Sequence, residues 1–166
     1  RLEFYEAKAV FFIVGNRVKD APHLLKKIRD KGHEIGNHTF VHSNKGQPGF
    51  FSYWKDLLRC QSLIEDISQK KPKFFRAPRG HISFTSLLVP RLVGLKPVNW
   101  SLGGQDWRCR TGSEARQAGQ KVIENLKSRD IVLLHDDNPY VLDILDIILP
   151  IIAERGFDLF SGKNYL

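Results

Sequence analysis

The sequence predicts an α/β fold of parallel strands, with a barrel favoured over an open doubly wound sheet. Two observations point there. Short apolar runs alternate with helical patterns six times along the chain, the order that right-handed crossovers turn into a parallel sheet. His38, His42, Arg76, Asp106 and His135 stand at or just beyond the ends of successive runs. Polar residues gathered on the C-terminal rim from several strands suit a barrel better than the single switch point of an open sheet.

The first run, residues 9–14 (Ala-Val-Phe-Phe-Ile-Val), is β-branched and aromatic and stops at Gly15-Asn16, so it reads as a strand buried on both faces. A helix follows, with Pro22 in its first turn, Leu24, Leu25 and Ile28 at helical spacing, and Lys31-Gly32 at its end. Further strands are predicted at residues 33–36, 74–76, 97–101, 131–135 and 157–160. Leu57, Leu58, Leu63, Ile64 and Ile67 form one apolar helical stripe. The last helix, residues 141–155, offers Leu142, Leu145, Ile148 and Ile152 to the sheet and stops at Gly156.

At 166 residues, 42% hydrophobic and 27% charged, the chain has the size and composition of one globular domain spanning 1–166. Cys60 and Cys109 lack a metal-like spacing and read as buried thiols. No apolar run approaches the ~20 residues of a membrane span, and Arg1-Leu2-Glu3 is unlike a secretory leader. A chain that starts at Arg1 and contains no methionine reads as a segment of a longer one. The net charge of +8 favours anionic partners. Lys26-Lys27, Lys70-Lys71 and Arg108/Arg110 nevertheless fall in separate segments without an aromatic platform, so they read as solvated surface and no nucleic-acid partner is expected. Neither a glycine-rich phosphate loop nor a G-x-S-x-G elbow occurs, which sets aside nucleotide cofactors and nucleophile-elbow serine chemistry.

The chemistry-bearing segments are short. Residues 36–43 carry His38 and His42 four apart, a spacing that on a helical turn puts both imidazoles on one side, where they can share a metal ion. Two core or capping histidines would look the same. Thr39 stands where a zincin-type protease needs glutamate. Arg76 ends a strand and leads into Ala77-Pro78-Arg79-Gly80, where Pro78 fixes φ and Gly80 permits close approach, so that the Arg79 amide could point at a developing oxyanion. Asp106 beside Trp107 pairs a carboxylate with an aromatic, which suits a sugar site and also many ordinary surfaces. Ile131-Val132-Leu133-Leu134-His135 brings an imidazole out of a buried strand, and a carboxylate close to it would fix its tautomer and raise its pKa for acid catalysis.

Taken in order, residues 9–15, 32–42 and 76–80, then Asp106-Trp107 and Leu133-Leu134-His135, resemble the polysaccharide deacetylase domain (NodB homology, carbohydrate esterase family 4) across nearly the whole chain. The resemblance implies a distorted (β/α) barrel of about seven parallel strands, the first missing from this chain. It implies metal-dependent hydrolysis of acetyl groups from an acetylated polysaccharide, either an N-acetylglucosamine polymer such as peptidoglycan or chitin, or acetylxylan. A catalytically inactive carbohydrate- or metal-binding member is the alternative. His38 and His42 match the histidine ligands of one divalent ion, zinc first, with cobalt or nickel next. Arg76 matches the arginine that orients the catalytic base, the Arg79 amide the oxyanion donor, Asp106 the carboxylate that tunes the general acid His135, and Leu133 and Trp107 the wall of the substrate site. An extracytoplasmic or envelope location follows from the same resemblance.

Two departures stand out. The family's Thr-Phe-Asp-Asp-Gly, which supplies the base and a third metal ligand, does not occur in these residues, so Arg1 to Lys8 reads as the tail of the helix after that strand. Asp136-Asp137 follows His135 and is not its substitute. Arg79 stands where many relatives carry tyrosine, which alters substrate contacts while leaving the amide in place.

Overall fold

A computed structural model describes residues 1–43 and 49–160. These described residues cluster into two compact units, one within 9–99 and the other comprising 1–8 and 100–160.

In the first unit, β1 (Val10–Ile13), β2 (Glu34–Asn37), β3 (Phe74–Phe75) and β4 (Lys96–Pro97) form a parallel sheet in that order. Four helices connect them: α1 (Gly15–Val18), α2 (Pro22–Asp30), α3 (Phe50–Ser68) and α4 (Phe84–Leu92). The predicted alternation is therefore observed. Pro22 is the first residue of α2, where its missing N–H costs no helical hydrogen bond, and Gly32, at φ 74°, ends the helical path. β1 is an edge of this sheet, so its residues are half-buried and not enclosed on both faces as the apolar run suggested. On α3 the stripe is Leu57, Cys60 and Ile64, all fully buried, whereas Leu58 is exposed; Leu24 on α2 is exposed as well. Burial pushes the Cys60 thiol up to about 12, which keeps it protonated and inert.

The strand expected over residues 97–101 stops at Pro97. Val98 N–H still donates to Phe75 O at 2.7 Å, but the next two carbonyls, of Val98 and Asn99, accept from the Arg76 guanidinium at 3.3 and 3.2 Å. A side chain has taken ladder positions that a neighbouring strand would otherwise fill.

The second unit pairs β5 (Leu102–Gly103) with β6 (Val132–Leu133), again parallel. Beside them lie α5 (Gly112–Asn125) and α6 (Val141–Glu154). Thr111 caps α5 through its hydroxyl, which accepts from Glu114 N–H at 3.2 Å. α6 is apolar around most of its circumference, so sequence alone leaves its rotation open. Of the predicted face, Ile148 and Ile152 are buried beside Ile144 and Leu149, and Leu145 packs against the same core; Leu142 alone departs from it, at 52% exposed. α5 decides the phase by offering Gly119, where an added Cβ would meet Ile147 at 3.2 Å. Residues 157–160 form no strand, because Asp158 Oδ1 accepts Phe160 N–H at 2.8 Å and curls the chain locally. Residues 1–8 are successive turns, not a helix tail: Phe4 N–H donates to Arg1 O and Glu6 N–H to Glu3 O, and Glu6 then adopts φ 51°. Cys109, like Cys60, is a buried thiol.

Candidate active site

Each unit carries one histidine constellation. In the first, β2 ends at Asn37, whose fully buried side chain donates to Leu57 O and accepts from Thr39 N–H, both at 2.9 Å. That amide pins the chain where it leaves the sheet. Thr39 and His42 then take left-handed backbone angles, φ 68° and 50°, so His38 and His42 do not lie on the helical turn that their spacing suggested. Their rings meet nonetheless, with centroids 4.9 Å apart. The loop is held from outside: Asp56 Oδ2 accepts Phe40 N–H at 2.7 Å, and Thr39 Oγ1 accepts His42 N–H at 3.0 Å.

His38 Nδ1 lies 2.7 Å from Arg76 O. A carbonyl only accepts, so Nδ1 carries the proton, and in the neutral ring it is then Nε2 that presents a lone pair, the tautomer a metal ligand needs. His38 and His42 thus fit two nitrogen positions around a divalent ion. Among the described residues, no group of three His, Cys, Asp or Glu is gathered for one.

Arg76 is buried, and its guanidinium lies 4.2 Å over the Phe12 ring. Burial pulls its pKa down to about 10, still protonated at neutral pH. Phe12 also stands edge-on to His38, at 6.5 Å between centroids. It fits there because residue 36 is glycine; a Cβ on Gly36 would come within 2.5 Å of the ring. After Arg76, Pro78–Gly80 form one 3₁₀ turn. Sequence placed the special geometry in Pro78 and Gly80, but Arg79 itself is left-handed, at φ 58°. A non-glycine residue held there stores about 1–3 kcal/mol of strain, of the kind that clusters at functional loops.

In the second unit the residue before Asp106, Gln105, is left-handed too, at φ 56°. Asp106 is buried and grips His135 twice, accepting its backbone N–H at 2.5 Å through Oδ2 and facing its Nδ1 at 3.0 Å through Oδ1. The hydrogen bond to Asp106 raises the His135 pKa, burial opposes it, and the charge of Asp106 adds to the rise. Asn138, also buried, donates to Asp106 O at 2.6 Å and accepts Tyr140 N–H at 2.8 Å, so the turn after His135 is tied to the turn that carries Asp106. Trp107 is 52% exposed, with the Arg108 guanidinium 4.6 Å over its ring. Leu133 is half-buried on β6, in register with Gly103.

Sequence reasoning passed over Asn37, Asp56 and Asn138. Asn37 sits inside a segment read for its histidines, and Asn138-Pro139 has the look of an ordinary turn. Asp56 lies 14 residues past His42, where only folding reveals the contact.

A parallel α/β chain with two histidine rings in contact at the end of a strand and a third imidazole held by a buried carboxylate invites comparison with metal-assisted hydrolases. Comparison narrows the class. The polysaccharide deacetylase family model matches residues 1–98, and the chain belongs to that family. It is similar to a peptidoglycan-N-acetylglucosamine deacetylase of Bacillus cereus, 35% identical over 99% of this chain and 78% of that one. Of two further Bacillus cereus deacetylases with the same name, 30% and 28% identical over 95% and 94% of this chain, the alignments cover 60% and 57%. Among solved structures it resembles a family 4 acetyl xylan esterase of Clostridium thermocellum in complex with a cobalt ion, with TM-score 0.83, 31% identity, and 98% and 82% of the two chains covered. Family membership also agrees with the α/β class predicted at the outset.

Proposed function

We propose that the chain is the metal-binding and proton-donating part of a carbohydrate deacetylase acting on an acetylated N-acetylglucosamine polymer of the cell envelope. One observation carries this reading: two histidines in one protein are held at Nδ1 by opposite kinds of partner. His38 gives its Nδ1 proton to a neutral carbonyl, which leaves Nε2 as a ligand. His135 faces a buried carboxylate, which favours the imidazolium.

In this reading His38 and His42 hold one divalent ion, zinc in first place, which supplies Lewis-acid polarisation of the acetyl carbonyl and the attacking water. The Arg79 amide donates to the oxygen that gains negative charge. Arg76 orients the base, a carboxylate that the family supplies on its first strand. His135, charged by Asp106, gives its proton to the departing sugar nitrogen, so the amine leaves neutral and not as an anion. Leu133 walls the acetyl methyl group, and Trp107 offers an exposed ring to a sugar face.

The test is acetate release from acetylated chitooligosaccharides with added zinc or cobalt. It compares the 166-residue chain with the same chain plus any coding sequence upstream of Arg1. Metal-dependent turnover only in the extended form supports the reading; robust turnover by the chain from Arg1 overturns the assignment of base and third ligand. An upstream sequence without paired aspartates selects the second reading, an inactive member that binds carbohydrate or metal. A carbohydrate esterase family 4 pseudoenzyme of Bacillus anthracis shares the fold, with TM-score 0.86 at 24% identity over 95% of this chain and 54% of that one.

A further inference from the structure

The charge of the chain is divided unevenly. Residues 9–99 hold 16 of the 26 Lys and Arg but only 6 of the 18 Asp and Glu, a net +10, which leaves a net −2 for the remainder. Two of the pairs that look scattered in sequence, Lys26-Lys27 and Lys70-Lys71, fall at one edge of the sheet. In a parallel sheet every helix-to-strand connection enters at the N-terminal ends of the strands, the edge opposite the one where His38 and Arg76 emerge. Three such connections meet there. Lys27 lies in the last turn of α2, Lys71 and Lys73 lie between α3 and β3, and Arg91 and Lys96 flank the entry to β4; all five are exposed. Lys96 N–H donates to Lys73 O at 2.8 Å, so those two lysines sit on adjacent strands, about 5 Å apart by strand spacing. Arg29 donates to Ser68 O at 2.8 Å and joins the end of α2 to the end of α3.

Nearby carboxylates are partly matched already: Glu34 by Lys70 at 2.9 Å and Asp30 by Arg29 at 2.6 Å. Glu65 and Asp66 on α3 remain as the opposing charges. Compensation of helix dipoles accounts for Lys27 and Arg91, in the last turns of α2 and α4, but not for Lys71, Lys73 and Lys96: α3 has no basic residue in its last turn, and its lysines come after the left-handed cap at Gln69.

We propose that this strand-entry edge docks a linear polyphosphodiester interlaced with the acetylated glycan, so that the chain is retained on its substrate's network by a surface separate from the catalytic residues. The reading rests on the envelope function proposed above. Lysines supply point charges without the fork that arginine offers for bidentate recognition, which suits a flexible polyanion of diffuse charge. Single-stranded nucleic acid is disfavoured because the exposed large aromatics, Phe4, Phe50, Phe51, Phe84, Trp107 and Phe160, belong to other segments, leaving no stacking platform here.

The test compares three forms of the 166-residue chain: unchanged, Lys71→Gln/Lys73→Gln/Lys96→Gln, and a control with Arg116→Gln/Lys121→Gln/Lys127→Gln, which removes the same charge from the other unit. Binding to synthetic poly(glycerol phosphate) is titrated against salt, with phosphatidylglycerol vesicles and single-stranded DNA as competing arms and thermal unfolding as a check on folding. The first triple variant should bind at least tenfold more weakly at low salt, and its log Kd against log salt slope should fall by about 2 to 3, near one unit per charge. The control should move little. Equal loss in both variants would reduce the effect to net charge and overturn the proposal, as would tighter binding to vesicles or DNA than to the polymer. Because binding is read without turnover, failure of the deacetylase reading would appear separately, as absent acetate release by the extended chain.

Discussion

The two units solve one problem, orienting an imidazole, in opposite ways. In residues 9–99 the histidine-bearing loop is held by a backbone carbonyl at His38 Nδ1, by the Asn37 amide where the loop leaves the sheet, and by Asp56, which accepts from the loop backbone. In the other unit a carboxylate with almost no solvent contact sits directly on His135, whose own side chain is 39% exposed. The carboxylate is buried and the imidazole it holds is open. What faces Nδ1 differs, a neutral carbonyl from residue 76 at His38 and a carboxylate from residue 106 at His135, and neither partner lies near its histidine in sequence.

The comparison is broken most directly by exchanging losses of function. In whichever form releases acetate, His135→Ala should lower kcat by about 10²- to 10⁴-fold with metal content unchanged, while His38→Ala should lose bound metal along with activity. Metal analysis beside acetate release separates the two. Loss of metal on changing His135 would show the roles misassigned.

Packing offers the next contrast. Ile148→Ala, at a position 3% exposed in the α5–α6 core, should destabilise by about 2–5 kcal/mol in denaturant unfolding. Leu142→Ala on the same helix should change stability by less than about 0.5 kcal/mol, as exposed substitutions do. Equal effects would mean that the helix is rotated.

A smaller loss sharpens the picture of the metal loop. Asn37→Ala would leave Leu57 O and Thr39 N–H buried without their amide partner, at about 1–3 kcal/mol for each group so stranded. Zinc affinity should fall with it, since the His38 loop leaves the sheet through that residue. Stability lost with affinity retained would make Asn37 structural only.

The last prediction concerns pH. Asp106 raises the His135 pKa in the folded chain above its unfolded value of about 6.5. The resulting stabilisation is therefore complete below about pH 6.5 and disappears as pH rises through the folded value. An NMR titration should place His135 above the ordinary histidine range and return it toward that range in Asp106→Asn. A titration unmoved by the substitution would remove Asp106 from its tuning role.

Much of this arrangement is legible in the sequence, and the remainder fails for identifiable reasons. The α/β alternation, the strand at Val10–Ile13, the helix begun by Pro22 and the meeting of His38 with His42 follow from local pattern. The geometry of that meeting does not, because the left-handed turns at Thr39 and His42 depend on Asn37 and Asp56, whose partners come from a distant helix. The short strand at Lys96–Pro97 was overestimated since Arg76, 22 residues upstream of Val98, competes for the ladder carbonyls. The buried face of α6 is legible at Leu145, Ile148 and Ile152 but not at Leu142, because a helix apolar on most sides takes its exact rotation from α5, where Gly119 leaves room for Ile147.

Gly36 carries no functional atom, yet Phe12 occupies the space its missing side chain leaves, and Phe12 in turn supports Arg76 and flanks His38. One methyl group added there has no slack to enter. The displacement would pass through a single ring to Arg76 and His38 together, the residues proposed to orient the base and to bind the metal. In a library of random variants, substitutions at position 36 should therefore register as enzymatic defects before they register as misfolding, and compensating changes should arise at residue 12, where a smaller side chain restores the lost volume.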